Sequence, residues 1–373
     1  YSLENALATV GSDENRAKER EIARKAVTVV KNENNTLPLN VTKKSKVLML
    51  CPYTNEQSQM LMGWNRAKKA GLIPDGAEVK VQCFMNHDDL ETVKENIDWA
   101  DTVIINSEIY GTYYTNYKHW LSAGPNNFTK YCKENNKTSV IMSVDLPYDV
   151  QLYPYADAIL AVYGDIGSAV DPTEAIVGGT TTSKEAYGPN IIAGVEVALG
   201  TFGATGTLPV NVTKYDANSN SYTDEIVYKR GHGITYDAKT INRDELENKV
   251  AELEKLEKGN YTDASWSVFE IALNDAKEVL SKVSSQEDID EALATLNKAY
   301  EALTENKKEE PTNPSDKKDE STNKKDETVK TETKKNTQKS KVKTGDNTAI
   351  TAFAVMMFIS GCVFVLARRK RND

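Results

Sequence analysis

Cysteine and histidine are scarce in this chain, four and three among 373 residues, and that scarcity excludes most disulfide and metal architectures. Cys362 falls in a long apolar run, which leaves Cys51, Cys83 and Cys132, an odd number, for any secreted disulfide framework. Cys51 and Cys83 lie in predicted strands and Cys132 in a predicted helix, so buried free thiols are the expectation. His87 precedes a predicted helix, His119 lies in an aromatic-rich loop, and His232 sits between two glycines. None has a partner at catalytic or metal-ligand spacing, so structural roles are expected, with no metal and no cofactor. Excess positive charge is also missing: a net charge of −9 speaks against nucleic acid as a partner. The first residues, Tyr1-Ser2-Leu3-Glu4, show no initiator Met and none of the basic and apolar segments of a signal peptide.

Long apolar runs are missing too, with one exception. Residues 349–367 hold about 19 positions without charge or proline, enough for one helix across roughly 30 Å of hydrocarbon. Arg368-Arg369-Lys370-Arg371 follows and is expected on the cytoplasmic side, which puts everything before Ala349 outside the cell. Thr344-Gly345, the apolar span and the basic tail over 344–373 together resemble the LPXTG-like wall-sorting signal of Gram-positive surface proteins. That resemblance implies cleavage between Thr344 and Gly345 by a sortase and transfer of the Thr to peptidoglycan. Lys341-Val342 stand where Leu-Pro is usual, so retention as a membrane anchor stays open beside wall attachment. The expected location is the surface of a Gram-positive-type bacterium. An exported C-terminus without a visible export signal carries the further expectation that sequence lies upstream of Tyr1.

What is present before residue 237 is alternation. Arg16–Val30 reads as a helix with Ile22, Ala23, Ala26, Val27 and Val30 on one face. Short apolar runs at Val47–Leu50, Val79–Phe84, Val103–Ile105, Val140–Val144 and Ile159–Tyr163 predict strands. Helical patterns fill Glu56–Lys69, Asp88–Trp99, Asn126–Asn135 and Asn190–Leu199. Nearly continuous apolar strands alternating with helices predict an α/β domain, an open αβα sandwich with a mostly parallel sheet covered on both faces.

Several segments here resemble one family. Ala26-Val27-Thr28-Val29-Val30-Lys31-Asn32-Glu33 with Leu37-Pro38-Leu39 resembles the start of the second domain of glycoside hydrolase family 3. Pro147-Tyr148-Asp149-Val150 with 158–164, Ala193-Gly194-Val195-Glu196 continuing to Gly200, and Gly206-Thr207-Leu208-Pro209-Val210 are similar to its β-N-acetylhexosaminidase branch. Gly231-His232-Gly233-Ile234-Thr235-Tyr236 resembles the closing turn. The resemblance implies a sandwich over 25–236, preceded by an inter-domain linker and helix start at 1–24.

From 241 to 304 three apolar stripes follow: Leu246, Val250, Leu253 and Leu256; then Trp266, Phe269, Leu273, Ala276 and Leu280; then Ile289, Leu293, Leu296, Ala299, Tyr300 and Leu303. With caps at Thr262 or Asp263 and a box at Ser285 and Asp288, they predict a three-helix bundle. Tyr261-Thr262-Asp263-Ala264-Ser265-Trp266 and Ile289-Asp290-Glu291-Ala292-Leu293 resemble the FIVAR module of bacterial surface proteins. Residues 305–343 are charged and nearly devoid of apolar side chains, which predicts a disordered tether. Fully extended it would reach roughly 130 Å, and as a flexible coil about 35 Å.

Retaining glycosidases normally place two groups across the scissile bond. In the branch resembled here both belong to an N-terminal (β/α)₈ barrel of roughly 250 residues. Residues 1–24 leave no room for one, so no catalytic residue is assigned and the chain alone is expected to be inactive. Glu108, Asp145 and Asp165 fall just after predicted strands, where open α/β sheets gather ligands. Carboxylates in such places mostly cap helices, shape turns or stay solvated; Glu108 is the first candidate should the sandwich contribute to a site. Tyr110, Tyr113, Tyr114, Tyr117 and Trp120 form an aromatic cluster. Their faces suit stacking on sugar rings and equally suit packing against the missing barrel. Glu108, Tyr110, Tyr113, Tyr114 and Trp120 are the candidate substrate-binding residues. Gly178-Gly179-Thr180-Thr181-Thr182 lacks the ending of a phosphate loop and reads as a turn. Two functions are therefore expected from the resemblance: the C-terminal part of a surface exo-β-N-acetylhexosaminidase acting on glycans, or a non-catalytic wall-anchored protein binding a glycan or a partner.

Overall fold

A computed structural model describes residues 2–10, 12–164 and 189–307. The apolar run at 349–367, the sorting signal at 344–373, the tether from residue 308 onward, Asp165 and the 178–182 turn lie outside the described residues. Among the described residues no helix is long and apolar enough to cross a membrane.

The apolar runs become strands β1 (Thr28–Asn32), β2 (Lys46–Cys51), β3 (Glu78–Cys83), β4 (Thr102–Ile109), β5 (Thr138–Asp145) and β6 (Ala158–Ala161). They form one six-stranded sheet in the order β1-β6-β5-β4-β2-β3. Every pairing in it is parallel except β1 with β6. Helices α1 (Leu3–Thr9), α2 (Asp13–Ala26), α3 (Glu56–Lys69), α4 (Glu91–Trp99), α5 (Trp120–Glu134) and α6 (Pro189–Leu199) accompany it. One apolar layer joins Val47, Met49, Ile104 and Met142 to Ala23, Trp64 and Val195, which lie on α2, α3 and α6. The other joins Leu48, Leu50, Ile105 and Ile141 to Ile97 and Phe128, on α4 and α5. Alternate residues of each strand thus feed opposite layers, as the pleat requires.

The bounds of two expected helices differ most, while the one expected over Asp88–Trp99 starts at Glu91. The helix expected over Arg16–Val30 ends at Ala26, and Thr28–Asn32 pairs antiparallel with β6 instead. Val27-Thr28-Val29-Val30 is a β-branched run, stiff in a helix and well suited to a pleated surface. Ile22, expected on the apolar face, is 68 % exposed. Helix α5 begins at Trp120, six residues before the expected Asn126, because the His119 side chain accepts from the Leu121 N–H at 3.3 Å. The helix accommodates Pro125, so the Gly-Pro pair does not mark its start.

A two-stranded hairpin, β7 (Val212–Asp216) and β8 (Ser221–Tyr228), was not legible in the sequence. Helices α7 (Asp244–Leu253), α8 (Asp263–Ser281) and α9 (Gln286–Glu301) then pack around a core of their own containing Leu246, Phe269 and Leu296. Thr262 caps α8, and Ser285 with Asp288 forms a capping box on α9. The three helices rest against the sandwich. Lys43 Nζ lies 2.9 Å from Asp288 and 2.5 Å from Glu291, and the Lys43 N–H donates to Glu287 at 2.8 Å.

Candidate functional site

After β2 the chain builds toward β3; after β4 it builds the other way, through β5 and β6. The carboxyl ends of β2 and β4 therefore flank the point where strand order reverses, the place where open α/β sheets form their ligand crevice. Two carboxyl groups meet there. Glu56 opens α3 just beyond β2, and Glu108 lies near the end of β4; both are 0 % exposed. Asn106 is two residues before Glu108 and faces the same way, and its Nδ2 donates to Glu56 Oε2 at 2.6 Å. Burial pushes the Glu56 carboxyl well above its ordinary range, and the nearby Glu108 charge adds to the push. Glu56 Oε1 is buried without a hydrogen-bond partner, so the pair stands close, desolvated and only partly satisfied.

Tyrosines lead from this pair toward the surface. Burial raises Tyr53, which also feels the neighbouring Tyr110 and the charges of Glu108 and Glu56. Tyr110 packs onward on Tyr114, with ring centroids 4.3 Å apart, and Tyr113 stands 5.2 Å from Tyr114. Tyr110 is 44 % and Tyr113 70 % exposed. Trp120 departs from the expected loop cluster: as the first residue of α5 it turns inward, edge-on to Tyr53 at 5.9 Å and Phe84 at 6.0 Å. The structure thus brings Glu108, Tyr110 and Tyr114 into one chain of contacts through Tyr53, with Tyr113 at its rim and Trp120 beneath.

A second acid lies on the opposite face of β4. Ser107 and Ser143 are register partners, and both hydroxyls donate to Asp149, Ser107 at 2.5 Å. Tyr153 joins through Ser107. Burial raises the Asp149 carboxyl to about 7, against the opposing pull of the serine hydrogen bonds. Nearby, Ile109, Gly111, Thr112, Leu146, Tyr148, Thr213 and Tyr222 line a cleft of about 310 Å³.

Glu108, expected as a cap, turn or solvated residue unless functional, is neither solvated nor at a helix end. Asp145 ends β5 in the left-handed region at φ 69°, a turn position. The histidines take structural places. His119 caps α5, and His232 Nε2 donates to the Val30 carbonyl at 2.9 Å while stacking on Tyr228. His87, at the surface, lies 3.8 Å from Asp89. Among the described residues no group of three His, Cys, Asp or Glu side chains could hold a metal ion. Glu56 and Asp149 escaped the reading of the sequence. The available signal was polarity inside apolar strands: Asn106-Ser107-Glu108 interrupts β4, and Ser143 interrupts β5.

The fold and its buried acids define an open α/β sandwich with a buried carboxyl pair at the sheet's switch point. No known family model matches the chain, and no curated protein matches it. Solved structures do resemble part of it. A β-glucosidase from Listeria innocua with gluconolactone shows 17 % identity and a TM-score of 0.36 over 60 % of this chain and 34 % of its own. A family 3 β-N-acetylglucosaminidase from Paenibacillus shows 14 % identity and a TM-score of 0.36 over 52 % of this chain and 32 % of its own. A β-D-glucoside glucohydrolase from Trichoderma reesei shows 13 % identity and a TM-score of 0.38 over 60 % and 37 %. The matched part is about a third of the length of each of these structures.

Proposed function

We propose that residues 25–236 are the C-terminal sandwich of a family 3 glycoside hydrolase of exo-β-N-acetylhexosaminidase type, working at the cell surface on glycans. In this reading the hydrolytic residues belong to the family's barrel, the sandwich supports it, and α7–α9 act as a spacer or binding module. Anchoring follows from the sorting signal, by sortase to peptidoglycan or by the membrane span.

The supporting observation is that the segments resembling the family, spread over more than two hundred positions of sequence, converge on β1. Val27 accepts from the Gly206 N–H, and Val29 accepts from the Ile234 N–H at 2.8 Å. A Cβ at Gly206 would collide with the Ala26 and Val27 carbonyls, and one at Gly233 would collide with the Gly206 carbonyl. Gly194 is seated against Val162, 2.5 Å from where a Cβ would stand. Gly194, Gly206 and Gly233 thus occupy places that no larger residue fits, while Gly231 has open space around it and is set apart by its positive φ of 84°, a physical reason for the pattern.

The test is hydrolysis of a chromogenic N-acetyl-β-glucosaminide by this chain, beside the same chain fused to a family 3 barrel. Turnover is expected from the fusion alone. Turnover by the chain itself, abolished in Glu108→Gln, would overturn the reading, as would a fusion without turnover. A second reading, a non-catalytic glycan binder, draws on the exposed rings of Tyr110, Tyr113 and Tyr117. It predicts retention of the isolated chain on immobilised glycan and its loss in Tyr113→Ala.

A further inference from the structure

β3 is the edge strand of the sheet, and its last residue, Cys83, is the register partner of Cys51, the last residue of β2. Register partners on parallel strands present their side chains to the same face, and neighbouring strands stand about 4.8 Å apart. That spacing lies inside the Cα separation a disulfide spans. Both residues end their strands, and the Phe84 N–H still donates to the Cys51 carbonyl at 2.9 Å, which keeps the two strand ends side by side. Cys83 also packs against the same apolar layer that contains Cys51. The two thiols differ in access. Cys51 is 0 % exposed, its Sγ 3.8 Å from the Gln82 carbonyl. Cys83 is half-buried, with its Sγ 3.3 Å from the Pro52 carbonyl.

We propose that Cys51 and Cys83 are a redox-active dithiol that closes to a disulfide between β2 and β3 on meeting a small-molecule disulfide. Cys83 is the attacking group. Its thiolate displaces one sulfur of the small disulfide, forming a mixed disulfide at Cys83 and releasing one small thiolate, which takes up a proton. Cys51 then gives up its proton to solvent and attacks Cys83 Sγ, releasing the second small thiol. The protein loses two electrons, and the small disulfide gains them as two thiols.

The chemistry of the pair fits this order. The adjoining Cys51 side chain lowers the Cys83 thiol to about 6, with help from the Met85 backbone and the His87 ring. Cys51 is held high by burial, with Glu56 adding to the effect. Cys132, buried in α5 and pushed up to about 12, has no such partner among the described cysteines and is an internal control. Reactivity at neutral pH follows thiolate fraction and access, so Cys83 leads.

The reduced full chain is incubated with bis(2-hydroxyethyl) disulfide at pH 7.5, trapped by alkylation and mapped by non-reducing peptide mass spectrometry. A cross-linked Cys51–Cys83 peptide is expected, with Cys132 recovered as the alkylated free thiol. Cys51→Ser is expected to stop at a hydroxyethyl adduct on Cys83, and Cys83→Ser to leave Cys51 unmodified. A persistent adduct on Cys83 of the unsubstituted chain, without cross-link, would overturn the proposal. Iodoacetamide alkylation of the unsubstituted chain needs no variant to fold: Cys83 is expected to react at least about tenfold faster than Cys132 at pH 7. Equal rates would overturn the proposal.

Discussion

Glu196 and Glu56 are the same residue type, buried to the same depth, and the molecule treats them in opposite ways. Glu196, 1 % exposed on α6, receives Arg24 through Nε at 2.9 Å and Nη2 at 2.8 Å, with Arg66 Nη1 at 3.7 Å. Arg24 also lies over the Phe202 ring at 3.9 Å, so its planar group is stacked as well as paired. These contacts tie α2 and α3 to α6. Glu56 faces another carboxyl, Glu108, and an amide. A forked guanidinium compensates a buried carboxylate; a second acid leaves it holding a proton. The first arrangement serves architecture. The second is the kind of perturbed pair that marks sites of chemistry or binding, and it sits at the switch point, not at a helix seam.

The largest expected effect tests the architectural side. Glu196→Ala leaves two guanidinium groups facing a buried void, and losing one partner of a buried pair typically costs about 3–5 kcal/mol. Urea unfolding followed by circular dichroism measures it as a lower midpoint at unchanged slope. A loss below about 1 kcal/mol, the range of an exposed pair, would erase the contrast with Glu56.

Sequence alone reached one side of this contrast further than the other. The α3 pattern is bounded by Glu56 and Lys69 in both sequence and structure, because its apolar residues keep helical spacing from end to end. The position of Glu108 after an apolar run was enough to nominate it. Glu56 was not, since a glutamate opening a helix reads as an ordinary first-turn acid favoured by the helix dipole. Its partner comes from a strand fifty residues on, and nothing local reports that meeting. Asp149 stood within a segment resembling the family, and its burial depends on two serines from β4 and β5 that periodicity assigns only to a strand face. The β7–β8 hairpin was missed because its strands are short or half-exposed and carry little alternation. Helix α5 was placed late because the Gly-Pro pair is a stronger local signal than a histidine cap.

A second effect separates the two buried acid sites from each other. The folded Asp149 carboxyl stands near 7, above its ordinary value of 3.8. A raised folded value means the native state holds the proton more tightly than the unfolded chain. The stability this gives is full below about pH 3.8 and is lost as pH rises through about 7. The loss is on the order of 4 kcal/mol. Denaturant midpoints measured from pH 4 to pH 8 are expected to fall in the parent and to flatten in Asp149→Asn. An equal slope in both would mean that the serine hydroxyls and Tyr153, not burial, set the charge state of Asp149.

The finest test acts on Glu56 itself. Glu56→Gln keeps an oxygen to accept from Asn106 and removes the buried group whose ionisation its surroundings oppose. Glu56 is raised in the folded state, so its stabilising proton is retained below the ordinary carboxyl range and its benefit is lost as pH rises toward the raised value. The variant escapes that loss. It is expected to match the parent near pH 4 and to exceed it by about 1 kcal/mol at pH 8, within the range of single stabilising changes. A variant less stable than the parent at pH 8 would mean that Glu56 is ionised and needed as a strong acceptor. Glu56 would then be a structural carboxylate like Glu196, and the switch-point pair would lose its claim to be a site.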